Sequence, residues 1–424
     1  MLRTLRRKLG KLCLWAVTAT AVTVLWLHSE IESQGEQGSL HTGRLERRVQ
    51  QLPGDEPNLA TRTLASQIRD DRYKDGRSLN GTDTDSRLKT FSQYGFRVVE
   101  DGIFWSEELE VLVPAGESDN DWRRTLTSIR NATVLEMYDD APCGDRTSKK
   151  NALIRLSDGN LMCVRYKSSC WLYGEVLSFH LSRFLGFHNV PLVTLSHLNQ
   201  EHPNWRNPSV QWTMKESGWD EDGTVSLMQW LDDATEDVPV PPFVKGDIKQ
   251  LNSSDPTLQQ LTRDELTILI QYTDMVIFDY LIGHYDRLMF HEFHSDLNQP
   301  THNALRQGNK LWLIDNETAF FFALKLSPAH RLVTMRRFLE SVCIFRRKTV
   351  ERMRTLASDV DSAVEMFTNT LSDWEPTFSA MRDTMSCRIL KNWPLLYIDY
   401  KQTLRDRIKD VYAHINNCEK AVGS

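Results

Sequence analysis

Gly283-His284-Tyr285-Asp286-Arg287-Leu288 follows a long apolar run with helical patterning, and Leu311-Trp312-Leu313-Ile314-Asp315-Asn316-Glu317 puts a second aspartate at the end of a short apolar strand. Phosphoryl transfer from a nucleotide needs such a pair. One carboxylate receives the acceptor's proton, and the other holds the metal that neutralises the phosphates. Each half also has an ordinary structural explanation: Asp-Arg pairs form surface ion pairs, and Asp and Asn after a strand cap turns. The pair gains its meaning from what precedes it in the chain.

Upstream, Asn151–Leu156 and Leu161–Tyr166 are strand-like runs separated by Ser157-Asp158-Gly159-Asn160, and Asp-Gly in that place predicts a hairpin. Arg165 and Lys167 lie at the end of its second strand; two residues apart, they project to one face. Leu172–Leu185 has helical spacing, with Leu172, Val176 and Phe179 beside Leu177, Leu181 and Phe184, and Gly186 as its stop. Glu175 sits near the start of that helix. Thr262-Arg263-Asp264-Glu265 is a capping box opening a helix to about Ile282, ended by Gly283. Gln271, Asp274 and Asp279 inside it favour a buried core helix over a membrane span. Residues 350–357 and 395–415 also read as helices. Pro239, Pro241 and Pro242 mark a loop or boundary ahead of the helical half. Strands first and helices second predict an α+β, two-lobed fold, with a β-rich N-lobe over 91–245 and a helical C-lobe over 246–424.

A metal-nucleotide kinase uses, in chain order, a cation on a strand for the phosphates, a glutamate on the next helix, a base and a metal-binding aspartate. Arg165 or Lys167, then Glu175, Asp286 and Asp315 supply that order. Other expected pieces are missing: there is no G-x-G-x-x-G, no G-x-x-x-x-G-K-[ST] and no complete H-R-D-x-x-x-x-N. Gly144–Lys150 is the candidate phosphate-covering segment. Where that spacing calls for a metal-binding asparagine stands His291, which suits manganese better than magnesium and otherwise packs without touching metal.

The N-terminus places the chain. Arg3, Arg6, Arg7, Lys8 and Lys11 precede an uncharged apolar run, Leu12–Leu27. Basic flank before apolar run predicts a cytosolic tail (1–11), a transmembrane signal anchor (12–28) and a luminal remainder. A cleaved signal peptide is the alternative, but no small-x-small site follows the run. Residues 29–90 are polar and without periodicity, a flexible luminal stem. Of seven cysteines, Cys13 lies in the membrane run. Cys143, Cys163, Cys170, Cys343, Cys387 and Cys418 suffice for three disulfides, with fifteen connectivities open. Asn80, Asn131, Asn252 and Asn316 head N-glycosylation sequons, but a glycan on Asn316 would crowd the site beside Asp315, so that one is expected empty. The formal charge is −6, and −11 without the five basic residues of the tail, which argues against nucleic acid as a partner.

Taken together, Ile277-Phe278-Asp279-Tyr280-Leu281, Tyr285-Asp286-Arg287 and Leu313-Ile314-Asp315-Asn316-Glu317 resemble the Four-jointed family. The likeness extends to Cys163-Val164-Arg165-Tyr166, Gly174–Leu181, Val225-Ser226-Leu227 with Trp230-Leu231, and Ser341–Arg346, spanning about 95–418. It implies an atypical protein-kinase-like fold related to the secretory-pathway casein kinase. It also implies a type II Golgi membrane enzyme, or a secreted one if the stem is cleaved. Such an enzyme transfers the ATP γ-phosphate to Ser or Thr of extracellular cadherin domains of the Fat and Dachsous type, in planar cell polarity and growth control. By position, Asp286 with Arg287 is implied as catalytic, Asp315 with His291 as metal-binding, and Arg165, Lys167 and Glu175 as ATP-binding. Manganese is implied ahead of magnesium, and a Cys343–Cys418 disulfide is implied as well. His284-Tyr285 before the base and His291 in place of asparagine depart from the family pattern; Cys170 and Cys387 are additional and offer a further pair. A pseudokinase or secreted ligand, and a glycan kinase, are the competing expectations.

Overall fold

The computed structural model describes residues 95–139, 143, 151–167, 169–198, 203–220, 222–244, 248–288, 299–320, 329–376, 386–387, 396–397 and 400–423. The anchor, the stem, Asn80, Gly144–Lys150 and His291 lie outside the described residues, as do the side chains of Cys170 and Cys387. Among the described residues no helix is long and apolar enough to cross a membrane.

The described chain opens on a short hairpin, β1 (Val99–Glu100) and β2 (Phe104–Trp105), followed by the one-turn helix α1 (Glu107–Glu110) and by α2 (Asp119–Asn131). The sheet segment then runs β3 (Val134–Tyr138), β4 (Asn151–Leu156), β5 (Leu161–Arg165), α3 (Ser169–Leu185), β6 (Val193–His197), α4 (Pro208–Glu216) and β7 (Thr224–Gln229). These five strands, β3 to β7, form an antiparallel sheet in the order β3-β4-β5-β7-β6, so β5 is central. The β4–β5 hairpin pairs Asn151 with Arg165, and Gly159 at φ 89° makes its turn. Only glycine takes that conformation without a steric penalty, which is why Asp-Gly signals the hairpin. At the end of α3, Gly186 in the left-handed region lets its own N–H and that of Phe187 close onto Arg183 and Ser182 carbonyls.

The second half is mainly helical: α5 (Arg263–Ile282), the β8 (Ala304–Gln307)–β9 (Lys310–Leu313) hairpin, α6 (Ala329–Glu340), α7 (Arg347–Ser358) and α8 (Val360–Trp374). A two-strand pair, β10 (Ser386–Cys387) and β11 (Leu396–Tyr397), and α9 (Tyr400–Gly423) complete it. The α+β class with sheet before helices is therefore the observed one. The capping box is present in both directions, with Glu265 N–H on Thr262 Oγ1 at 3.2 Å and Thr262 N–H on Glu265 Oε2 at 2.7 Å.

Every residue of α5 from Leu266 to Ile282 is buried, so its polar residues must be satisfied internally. Gln271 accepts from Leu311 N–H and donates to the Asn309 carbonyl, which fixes β9 against the helix. Asp274 accepts from Arg346 and Thr349. Asp279 meets Arg287.

Disulfides Cys143–Cys163 and Cys343–Cys418 hold the sheet and the helical half respectively, the second as the family likeness implies. Closing a 75-residue separation, Cys343–Cys418 stabilises the fold by about 4 kcal/mol in the chain-entropy account. Arg130 of α2 pairs with the buried Glu375 after α8, which also accepts from Thr194 of β6. The last helix begins at Tyr400 rather than 395, because Leu396 and Tyr397 pair with Cys387 and Ser386 instead.

Candidate active site

Arg165 ends the central strand, nine-tenths buried, and its Nη1 meets three carboxylates: Asp315 Oδ1 at 2.6 Å, Glu317 Oε2 at 3.0 Å and Glu175 Oε1 at 3.1 Å. Lys167, two residues on, donates to Glu317 at 2.7 Å. The arrangement depends on a close approach of α3 to the turn after β9. A Cβ on Gly174 would stand 2.5 Å from the Glu317 carbonyl oxygen and 2.8 Å from that of Asn316. Next to it, Glu175 accepts from Asn316 N–H at 3.2 Å. Gly174→Ala is therefore expected to force the helix and the turn apart and separate Glu175 from Asn316. Nucleotide-dependent thermal stabilisation should fall with it, whereas Gly159→Ala, which strains the β4–β5 turn at φ 89° but crowds nothing beside Glu317, should lower the melting temperature and keep that response. Thermal shift with and without nucleotide checks this.

Asp315 follows β9 with φ 57° and ψ 50°, a left-handed conformation, and opens a short 3-10 turn over Asn316–Thr318. Aspartate is one of the few non-glycine residues that take up that conformation, as single residues in turns. Asn316 is fully buried and bonded on both amide atoms, to the Leu313 carbonyl (3.1 Å) and from Arg287 Nη2 (2.9 Å). That leaves no room for a glycan. Burial would raise Asp315, but Arg165 and Lys167 hold its carboxyl well below the usual range. Burial pushes Glu175 up to about 7 against the pull of Arg165, with Asp315 and Glu317 adding to the rise.

Asp286 approaches from the end of α5. Gly283, at φ 77°, stops the helix, and His284 turns inward. Its Nε2–H donates to the Asp315 carbonyl at 3.0 Å while Nδ1 accepts from Arg287 N–H at 3.4 Å, which defines a neutral imidazole. Burial, with Arg287 nearby, pushes its pKa down to about 3. Through this ring the two aspartate segments are one unit. The Asp286 carboxylate is 39% exposed; its Oδ2 accepts from Asn303 Nδ2 at 3.2 Å and faces His302 Nε2 at 3.5 Å. Burial would raise Asp286, but His302 outweighs it and keeps the carboxyl below its ordinary value.

One family model, described as the Four-jointed box protein middle domain, matches residues 118–421. The chain belongs to the Four-jointed box family. Four-jointed box protein 1 of Mus musculus is 31% identical over 337 residues, 77% of this chain and 70% of the mouse protein. The Drosophila melanogaster protein named "Extracellular serine/threonine protein kinase four-jointed" is 23% identical and matches over 64% of this chain and 55% of its own. Among solved structures, the Golgi casein kinase with Mn/ADP bound aligns at TM-score 0.45 and 14% identity, over 74% of this chain and 81% of that one. So loose a likeness says nothing of the site.

Of the residues singled out in sequence, the structure gathers Arg165, Lys167, Glu175 and Asp315 in one cluster and joins Asp286 to it through His284. Arg287 requires a correction. It is wholly buried and its guanidinium faces inward, to Asp279, the Asn303 and Ile314 carbonyls and Asn316, so it positions the site and touches no acceptor. Glu317, His284, Asn303 and Gly174 were not singled out as site residues. Glu317 carried a signal, standing two residues after Asp315 in the same stretch. Asn131, the last residue of α2, is exposed, and Asn252 is half-buried in a local turn with Ser254.

A divalent ion fits this donor set. Glu175, Asp315 and Glu317 offer oxygens within 4.8 Å of one another, and Glu175 Oε1, ion-paired to Arg165, is buried without a hydrogen bond. An all-carboxylate set suits magnesium or manganese. A separate cleft of about 320 Å³, beside the Cys343–Cys418 disulfide between α6 and α9, is lined by none of these residues.

Proposed function

We propose that this chain is a secretory-pathway protein kinase that transfers the γ-phosphoryl group of ATP to Ser or Thr of extracellular cadherin domains of the Fat and Dachsous type, in planar cell polarity and growth control. It acts in the Golgi lumen, held by an N-terminal signal anchor. The observation that carries the reading is the single Arg165 nitrogen shared by Glu175, Asp315 and Glu317, with Asp286 tied to the same turn through His284. The name borne by the Drosophila melanogaster relative, an extracellular serine/threonine protein kinase, supports it.

In this reading Asp286, partly open to solvent, receives the proton of the acceptor hydroxyl. Arg165 and Lys167 turn from the carboxylates to the phosphate oxygens. Asp315 and Glu317, with Glu175 behind them, hold the divalent ion, manganese ahead of magnesium. When bound, that ion neutralises charge on the phosphate oxygens.

The test is labelling of purified cadherin repeats, and in parallel of glycan acceptors, by the full luminal chain with ATP and either metal. Asp286→Asn is expected to lower labelling by at least about 100-fold, the range of a lost general base, while leaving nucleotide binding in place. Undiminished labelling by that variant would remove Asp286 from its role. Labelling of glycans alone would make the chain a glycan kinase, and nucleotide binding without transfer to either acceptor a pseudokinase.

A further inference from the structure

Among the described residues, both polar contacts on the Asp286 carboxylate fall on the same oxygen. Asn303 Nδ2 donates to Oδ2 at 3.2 Å, and His302 Nε2 stands 3.5 Å from it. Both come from the segment leading into β8, where Asn303 takes the left-handed region at φ 53°. Arg287 Nε bonds the Asn303 carbonyl at 3.2 Å and so fixes this segment against the loop that carries Asp286. His302 and Asp286 are 30% and 39% exposed. Among the described residues, the other titratable groups acting on Asp286 are His284, held neutral by burial, and Asp315. The Arg287 guanidinium is turned inward to Asp279.

We propose that His302 is a positioning residue for the base: with Asn303 it holds Oδ2 of Asp286, leaves Oδ1 for the acceptor hydroxyl, and makes phosphoryl transfer fall when the imidazole takes up a proton. This rests on the kinase reading above. As the acceptor oxygen bonds to the γ-phosphorus, the bond from that phosphorus to the bridging oxygen breaks and ADP leaves with its electron pair. The acceptor's proton passes to Oδ1 and then to water. Histidine changes charge between pH 5 and 8, where no unperturbed carboxylate does. An imidazolium beside Oδ2 lowers the basicity of the whole carboxylate, and a weaker base removes the proton less well.

The test compares kcat of the full luminal chain and His302→Gln between pH 5 and 8. The wild-type chain should lose about 10-fold on the acid side. The glutamine variant, which still donates to Oδ2 but does not ionise, should be nearly flat there. Parallel acid limbs, or an unchanged variant at every pH, would overturn the proposal. A chain without transfer at any pH refutes the kinase reading instead. The pair is then tested by following the His302 ring proton by NMR. Asp286→Asn should move its resonance, and an unmoved resonance shows that the two side chains do not interact.

Discussion

Arg287→Ala is expected to destabilise the fold by about 3–5 kcal/mol, the cost of leaving a buried carboxylate without its partner. Asp279 is 1% exposed at its side chain and has Arg287 as its ion-pair partner. The loss does not stop there, because the same guanidinium donates to the Asn303 carbonyl, the Ile314 carbonyl and Asn316 Oδ1, at 2.9–3.2 Å. One buried and two partly buried acceptors, from two segments, would lose a donor together. Lysine should not rescue, since one ammonium lacks the planar fork that reaches Asp279 and the far segments at once. Against a typical total of about 5–15 kcal/mol, the variant would sit near the folding threshold. Urea unfolding checks the value, with Asp279→Asn in a double-mutant cycle. If the two substitutions simply add, and Arg287→Ala costs under about 1 kcal/mol, the guanidinium is no structural centre.

That role explains why sequence misassigned Arg287. Beside Asp286 it looked like part of the chemistry, but neighbouring residues need not face the same way, and only the packing shows the guanidinium turned toward the end of α5. Elements whose signals are local were legible. The Asp-Gly hairpin, the Thr262–Glu265 capping box and the glycine stops at Gly186 and Gly283 each state their geometry within a few residues. Helix α2 also carries local signals: Ser118 caps it by accepting from Asp121 N–H, and Trp122, Leu126 and Ile129 line one buried face. The last helix was placed too early because its start is set by the pairing of β10 with β11, which is a tertiary matter.

For the site, chain order sufficed to select Arg165, Glu175, Asp286 and Asp315, because their spacing follows the elements that carry them. What joins them was hidden. Gly174 matters only because the Asn316–Glu317 backbone passes within 3 Å of where its side chain would stand. His284 links the two aspartates through a backbone carbonyl, a contact no residue pattern announces. Glu317 and Lys167 form a pair across 150 positions of sequence.

Asp315→Asn isolates the charge at the centre of this cluster, since asparagine has nearly the same shape and tolerates the left-handed conformation that Asp315 adopts. The turn should therefore persist, with Asn316 still held by Glu175, Leu313 and Arg287. What is lost is one of three carboxylates around Arg165 Nη1, the one that Arg165 and Lys167 hold well below its ordinary range. In the folded wild-type chain, a divalent ion at about 100 times its dissociation constant should raise stability by about 2.7 kcal/mol through mass action. The variant should show little of that gain at the same metal concentration. Phosphoryl transfer should fall by about 100–1,000-fold, the effect of losing one charge-stabilising group in the transition state. Without metal the variant should keep near-wild-type stability, because Arg165 retains Glu175 and Glu317. Metal titration followed by thermal unfolding separates the outcomes. Equal stabilisation of both proteins by the ion would place the metal elsewhere, and a large loss of stability before any metal is added would make Asp315 a structural residue that holds Arg165 and nothing more.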